Sequence, residues 1–150
     1  MSDASGATTP HPPSPFATAG GFVWLPRMLH KARLARTGGL GEYLVFEDSP
    51  LDQVALARWR VTGAQVGAWL DQGLDDEAIA TQLATTLGLD AAGRARWSER
   101  FMGGWRGPFF RCIDADEGRT PPGLATTVRK AVLELTFRTV SLGLKLRGRR

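Results

Sequence analysis

Five charged or phenolic side chains in one short segment have the types and spacing of a small binding site. Arg27 and Lys31 are four positions apart, which places them one turn apart on a helix. A guanidinium offers a planar fork of donors and an ammonium a point charge, so the two can hold a carboxylate or a phosphate. Glu42, Tyr43 and Asp52 join them if the glycine-rich loop behind the helix folds back over it.

Two interpretations of this cluster follow from the residue types. In the first, the side chains bind a small anionic ligand or a partner peptide without catalysis. In the second, Arg27 and Lys31 pair with Glu42 and Asp52 in a structural ion-pair network, since such pairs serve either purpose.

The alternative function is an enzyme in which Glu42 or Asp52 exchanges protons and Tyr43 donates one. The sequence shows no nucleophile with a neighbouring base, so binding is the favoured class.

The other reactive side chains are interpreted as structural. His30 has no acid one turn away to orient its ring, and Cys112 has apolar neighbours and no evident histidine partner. A single cysteine forms no internal disulfide, which favours a reducing compartment, the cytoplasm. No residue cluster has metal-ligand spacing and no phosphate-binding glycine motif occurs, so neither a metal nor a cofactor is predicted.

Cap residues and apolar periodicity predict a series of short helices that position the cluster. The first begins near Pro26, a residue tolerated in a first turn, and stops at Gly38. Its apolar residues share one face, which puts Arg27, His30 and Lys31 on the opposite face. Ser49, Thr62 and Asp90 suit the N-caps of three further helices. Acidic residues lead another helix, which ends at Gly88.

Two stretches lack a helical signature. Residues 106–123 contain proline, glycine and acids and are predicted to form mainly a loop. Residues 41–46 have strand-like side chains, but one short strand makes no stable sheet. With a final helix over residues 124–146, the predicted fold is all-α, a small orthogonal bundle of about five to six short helices with an added basic amphipathic C-terminal helix. Most of the tryptophans are assigned to its core.

Composition divides the chain of 150 residues into three parts. Residues 1–20 are rich in Pro, Ser, Thr and Gly, lack the apolar core of a secretory signal and are predicted to form a disordered arm. Residues 21–119 are assigned to the helical domain and residues 120–150 to the basic helix and tail. The net charge of +4 hides an asymmetry, because residues 124–150 hold 7 Lys or Arg against 1 acid.

The predicted C-terminal helix has an apolar arc too wide to remain in water. It is expected to dock on the domain or on a second copy, which makes residues 124–146 a candidate homodimer interface. The alternative is an anionic membrane surface, contacted by the basic cluster Lys145, Arg147, Arg149 and Arg150. Nucleic acid is the least favoured partner of this cluster.

Four motifs together resemble a known family. They are VWLPRMLHKAR at 23–33, LGEY at 40–43, PLDQ at 50–53 and ARWSERF at 95–101. The order and spacing of these motifs make the chain similar to the bacterial proteins grouped as domain of unknown function 5069. The resemblance implies a small, mostly helical domain of unknown activity, with matching positions at Trp24, Pro26, Arg27, Lys31, Arg33, Gly41, Glu42, Tyr43, Asp52, Trp97 and Phe101. Where His30 stands here, the family commonly has an acid.

Overall fold

Six helices and one short hairpin make up residues 11–119, the part of the chain that the computed structural model describes. The helices are α1 (Leu25–Thr37), α2 (Pro50–Trp59), α3 (Gly63–Asp71), α4 (Asp76–Leu87), α5 (Ala91–Met102) and α6 (Arg106–Asp116). The hairpin strands are β1 (Thr18–Ala19) and β2 (Phe22–Val23), and a 3₁₀ turn, Phe46–Asp48, precedes α2. The predicted small all-α bundle is confirmed for these residues.

Local capping determines where most of the helices begin and end. The side chains of Ser49, Thr62 and Asp90 each accept a hydrogen bond from the backbone N–H three residues later, as predicted. Asp75 caps α4 in the same way. Gly38 ends α1 in the left-handed conformation, with φ of 75°. These boundaries follow from short stretches of sequence.

Helix α6 occupies a segment that the sequence predicts to be mainly loop, and that prediction is wrong for its greater part. Pro108 stands in the first turn, where it removes no intrahelical hydrogen bond. Phe110 is fully buried, and Phe109 and Ile113 pack against the core. Burial of this apolar face therefore outweighs the glycine and proline that suggested a loop.

The hairpin is a second difference from the sequence-based expectation. β1 and β2 pair antiparallel across a two-residue turn in which Gly20 and Gly21 have φ of 51° and 82°. Glycine adopts this left-handed region without steric strain, and paired positive φ values suit a tight hairpin. The predicted disordered arm is thus corrected for residues 11–20, which hold β1 and contact the helical domain.

The remaining terminal predictions lie outside the described residues. These are the disorder of residues 1–10, the C-terminal helix at residues 124–146, and the basic cluster Lys145, Arg147, Arg149 and Arg150. Among residues 11–119, no helix combines the length and the apolar character needed to cross a membrane.

Aromatic rings form the centre of the core. The Trp97 ring stacks between those of Trp59 and Phe101, with centroids 4.7 Å and 5.0 Å away. Trp24 stacks on Phe110 at 5.0 Å. Trp59, Phe101 and Phe110 are fully buried. Through these ring contacts the aromatic residues join α2, α5 and α6 to Trp24 at the start of α1.

Replacing Ser98 with alanine is expected to reduce the free energy of unfolding by about 1–3 kcal/mol. The buried Ser98 hydroxyl accepts from Val23 N at 2.9 Å and donates to Gly21 O at 2.7 Å, which ties α5 to the hairpin. Alanine leaves both backbone groups without this partner. Urea denaturation measures the loss, with Thr81→Ala as control, because the exposed Thr81 hydroxyl bonds, among residues 11–119, to Glu77 O of its own helix alone. Equal losses in the two variants would contradict the prediction.

Candidate functional site

The predicted site residues come from α1, from the loop behind it and from the first turn of α2. Arg27 and Lys31 are only 4% and 3% exposed, although the helical periodicity placed them opposite the apolar face. Asp52 is fully buried and Tyr43 is half-buried. Glu42 is exposed at the rim. The structure therefore buries three of the five side chains and places Tyr43 at the edge of the interior.

The Lys31–Asp52 ion pair is the most completely buried charge contact of this cluster. Lys31 Nζ lies 3.0 Å from both carboxylate oxygens of Asp52 and donates to Leu44 O at 2.7 Å. Trp24 Nε1 and Phe46 N donate to the same carboxylate at 2.7 Å and 2.9 Å. Asp52 thus accepts four hydrogen bonds and connects α1, the following loop and α2.

Burial acts on both members of this pair. It lowers the pKa of Lys31 and raises the pKa of Asp52, in each case against the attraction and hydrogen bonding of the partner. A general base must reach the proton that it removes, whereas Asp52 is closed from solvent and its oxygens are already occupied. These contacts suit a structural carboxylate better than a proton acceptor.

Arg27 is held by a residue from the opposite end of the described chain. Its Nη1 and Nη2 donate to Glu117 Oε2 and Oε1 at 2.9 Å and 2.5 Å, in a bidentate pair, and Nη1 also donates to Pro13 O at 3.0 Å. The guanidinium lies between two aromatic rings, 5.8 Å from the Trp24 centroid and 5.6 Å from the Tyr43 centroid. This arrangement fixes the orientation of the guanidinium plane.

Glu117 was missed by the sequence analysis, which expected Arg27 and Lys31 to pair with Glu42 and Asp52. Asp52 does pair with Lys31, whereas Glu117 takes the place expected of Glu42. The omission follows from assigning residues 106–123 mainly to a loop. Phe109 and Ile113 of α6 and Glu117, the residue directly after it, recur every four positions. This helical spacing is the signal that the three side chains share one side.

Tyr43 extends the network toward the N-terminal segment. Its hydroxyl donates to Glu117 Oε1 at 3.2 Å and lies 2.8 Å from His11 Nδ1. Burial and the negative charge of Glu117 raise the pKa of Tyr43. Burial also opposes ionisation of Glu117, but the hydrogen bonds and charges of Arg27 and Arg119 outweigh it and lower the pKa of that carboxyl.

A cavity of about 190 Å³, here named the Tyr43 cavity, opens beside this network. Its lining includes the polar side chains Arg27, Lys31, Glu42 and Tyr43 and the apolar side chains Trp24, Leu51, Phe109 and Ile113. Asp52 lies behind Lys31 and is not part of the lining. The cavity thus combines cationic groups of α1 with an apolar surface contributed by α2, α6 and Trp24.

Comparison with known proteins gives one match. The family model described as Domain of unknown function (DUF5069) matches residues 9–108, two thirds of the chain. This range includes all five predicted site residues and α1 to α5, and it ends before Glu117. No curated protein and no solved structure matches the chain. The matched range, with the mostly helical fold, shows that the chain belongs to the DUF5069 family.

Proposed function

We propose that this protein is a non-catalytic binding module and that the Tyr43 cavity holds a small monocarboxylic acid with a compact apolar body. One observation carries the proposal. The lining of the cavity includes the cations Arg27 and Lys31 together with the apolar side chains Leu51, Phe109 and Ile113. Small-molecule sites typically combine an apolar surface with a few fixed polar groups in this way.

Arg27 is the group expected to receive the carboxylate. A guanidinium has five N–H donors, and within residues 11–119 the hydrogen bonds to Pro13 and Glu117 use three of them. The other two donors are the ones that we propose to receive the acid group. The three donors of Lys31 Nζ form hydrogen bonds to Asp52 and Leu44. Lys31 therefore offers the ligand positive charge rather than a hydrogen bond.

The charge balance favours a ligand with a single negative charge. Asp52 and Glu117 largely compensate Lys31 and Arg27, and the exposed Glu42 at the rim repels a second negative charge. A volume of about 190 Å³ corresponds to roughly six water molecules at their liquid volume. A ring or short branched chain with one carboxylate has a suitable size.

Benzoate is the probe that tests this proposal, with benzamide as its uncharged counterpart. In an NMR titration of the full chain, benzoate is expected to shift the amide signals of Tyr43 and Leu44 saturably. We expect it to bind about tenfold more tightly than benzamide, because a charge-assisted hydrogen bond contributes more than a neutral one. Ile113→Trp fills the cavity and should abolish these shifts, whereas Ile113→Val should retain them.

Glu42→Gln provides a second readout of the same site. Removing this rim charge is expected to strengthen benzoate binding by about two- to fivefold, in line with an exposed charge interaction, and to leave benzamide binding unchanged. Equal affinity for the two probes, or unchanged benzoate shifts in Ile113→Trp, would contradict the proposal. The network would then have the structural role alone.

A further inference from the structure

A second concave surface lies on the other side of the aromatic core, between α2 and α5. This groove has a volume of about 320 Å³ and is lined by Arg58, Leu89, Gly93, Arg96, Trp97 and Arg100. We name it the arginine groove. Its three arginines were not among the site residues predicted from the sequence, and it shares no lining residue with the Tyr43 cavity.

Helical spacing explains how the arginines meet. Gly93, Arg96, Trp97 and Arg100 stand at positions i, i+3, i+4 and i+7 of α5, so they share one face of that helix. Arg58 comes from the last turn of α2, which packs beside them through the stacked Trp59 and Trp97 rings. The guanidinium groups are thereby mounted on rigid helices.

The positive charge of the groove is not compensated by the described part of the chain. Within residues 11–119, no acidic side chain forms an ion pair with Arg58, Arg96 or Arg100, whereas Arg27 and Arg36 each contact a carboxylate. Arg106 lies near enough that the charge of Arg58, together with burial, lowers its pKa, so a fourth cation stands close to the groove. Neighbouring cations repel one another, and a bound anion relieves this repulsion.

Trp97 gives the groove an apolar floor, because its ring is held between those of Trp59 and Phe101. Its Nε1 is buried and has no hydrogen-bond partner within the described residues, and the same is true of Trp59 Nε1, which does not line the groove. The buried N–H therefore belongs to the stacked core, and the arginines and the shape of the groove are the features that indicate a ligand.

We propose that the arginine groove binds the phosphate group of a small organic molecule. Guanidinium forks match phosphate oxygens in pairs, and three of them suit a doubly charged group rather than a single carboxylate. A volume of about 320 Å³ corresponds to roughly ten water molecules, enough for a phosphate with a compact organic part. The proposal does not rest on the function assigned to the Tyr43 cavity.

Pyrophosphate is the probe for this site, titrated into the full chain by calorimetry at constant ionic strength. We expect saturable binding with one pyrophosphate per chain, and a shift of the Trp97 indole N–H signal in NMR spectra. Arg96→Gln and Arg58→Gln are each expected to weaken binding about tenfold, the loss of one charge-assisted contact. Both arginines are exposed, so neither replacement disturbs the core.

Matched charge changes elsewhere complete the experiment. Arg111→Gln, at an exposed position of α6, and Arg149→Gln, in the basic cluster, should leave pyrophosphate affinity unchanged. Ile113→Trp, which blocks the Tyr43 cavity, should also have no effect. The proposal is overturned if Arg111→Gln and Arg149→Gln weaken pyrophosphate binding as much as Arg58→Gln and Arg96→Gln do. Tighter binding of a single-stranded oligonucleotide, with affinity falling steeply as salt rises, also overturns it in favour of a polyanion surface.

Discussion

Replacing Asp52 with alanine is expected to lower the free energy of unfolding by about 3–5 kcal/mol, the usual cost of removing one partner from a buried ion pair. The change leaves Trp24 Nε1 and Phe46 N without this acceptor, and it leaves Lys31 Nζ with Leu44 O alone. A domain of this size typically has only about 5–15 kcal/mol of stability. Urea denaturation followed by tryptophan fluorescence measures the loss.

Two further variants separate the cost of the lost charge from other effects. Asp71→Ala removes the partner of Arg36 at the surface, where the aspartate is 69% exposed, and should cost about 1 kcal/mol or less. Lys31→Met combined with Asp52→Leu removes both buried charges and should cost less than Asp52→Ala alone. A loss in Asp52→Ala no larger than that in Asp71→Ala would refute the structural role of the pair.

Replacing Arg27 with methionine is the second change with a large expected effect, a loss of about 3 kcal/mol. Methionine leaves Glu117 with only 7% of its side chain exposed and without its bidentate partner. The loss falls at the lower end of the range because Arg119 still contacts the same carboxylate. In a double-mutant cycle with Glu117→Gln, we expect a coupling energy of about 0.5–3 kcal/mol. Strictly additive losses would mean that the two side chains do not stabilise each other.

The Arg27–Glu117 pair also predicts a pH dependence with a definite sign. The pKa of Glu117 is lowered from its usual 4.5 in the folded protein. A carboxyl of this kind stabilises the fold above its unfolded pKa, and that contribution is lost as pH falls through the lower folded value. The difference in stability between the wild-type protein and Glu117→Gln should therefore shrink below about pH 4.5.

Asp52 acts in the opposite direction, because its raised pKa means that ionisation disfavours the fold. The contribution of Asp52 to stability is the same in the wild-type protein and in Glu117→Gln. It therefore cancels when the two free energies of unfolding are subtracted. Denaturation curves at a series of pH values provide the measurement. A difference that stays constant or grows as the pH falls from 6 to 3 would show that the native pair does not lower the pKa of Glu117.

Helix boundaries were largely determined by the sequence itself. Ser49, Thr62 and Asp90 cap their helices through backbone N–H groups three residues away, and Gly38 ends α1 with a positive φ. Each signal acts over a few residues, so no knowledge of the rest of the chain is needed. The all-α fold follows from the same local patterns, whereas the family resemblance rests on four short motifs and their order along the chain.

Helix α6 shows where local signals were insufficient. Gly107 and Pro108 suggested a loop, yet a proline in a first turn loses no hydrogen bond. The segment is helical because Phe110 is fully buried and Phe109 and Ile113 pack against the core. That choice depends on the core against which the segment packs, and the core is formed by residues far away in sequence.

The identity of the buried charges was decided only by the tertiary structure. Periodicity put Arg27 and Lys31 opposite the apolar face of α1, but both are buried. Pro13 and Glu117 contact Arg27, and Leu44 and Asp52 contact Lys31. Glu117 and Arg27 are separated by 90 positions, and Arg58 meets α5 across the stacked tryptophans. No spacing along the chain indicates which distant side chain will compensate a buried charge. The arrangement of the helices in space determines that partner.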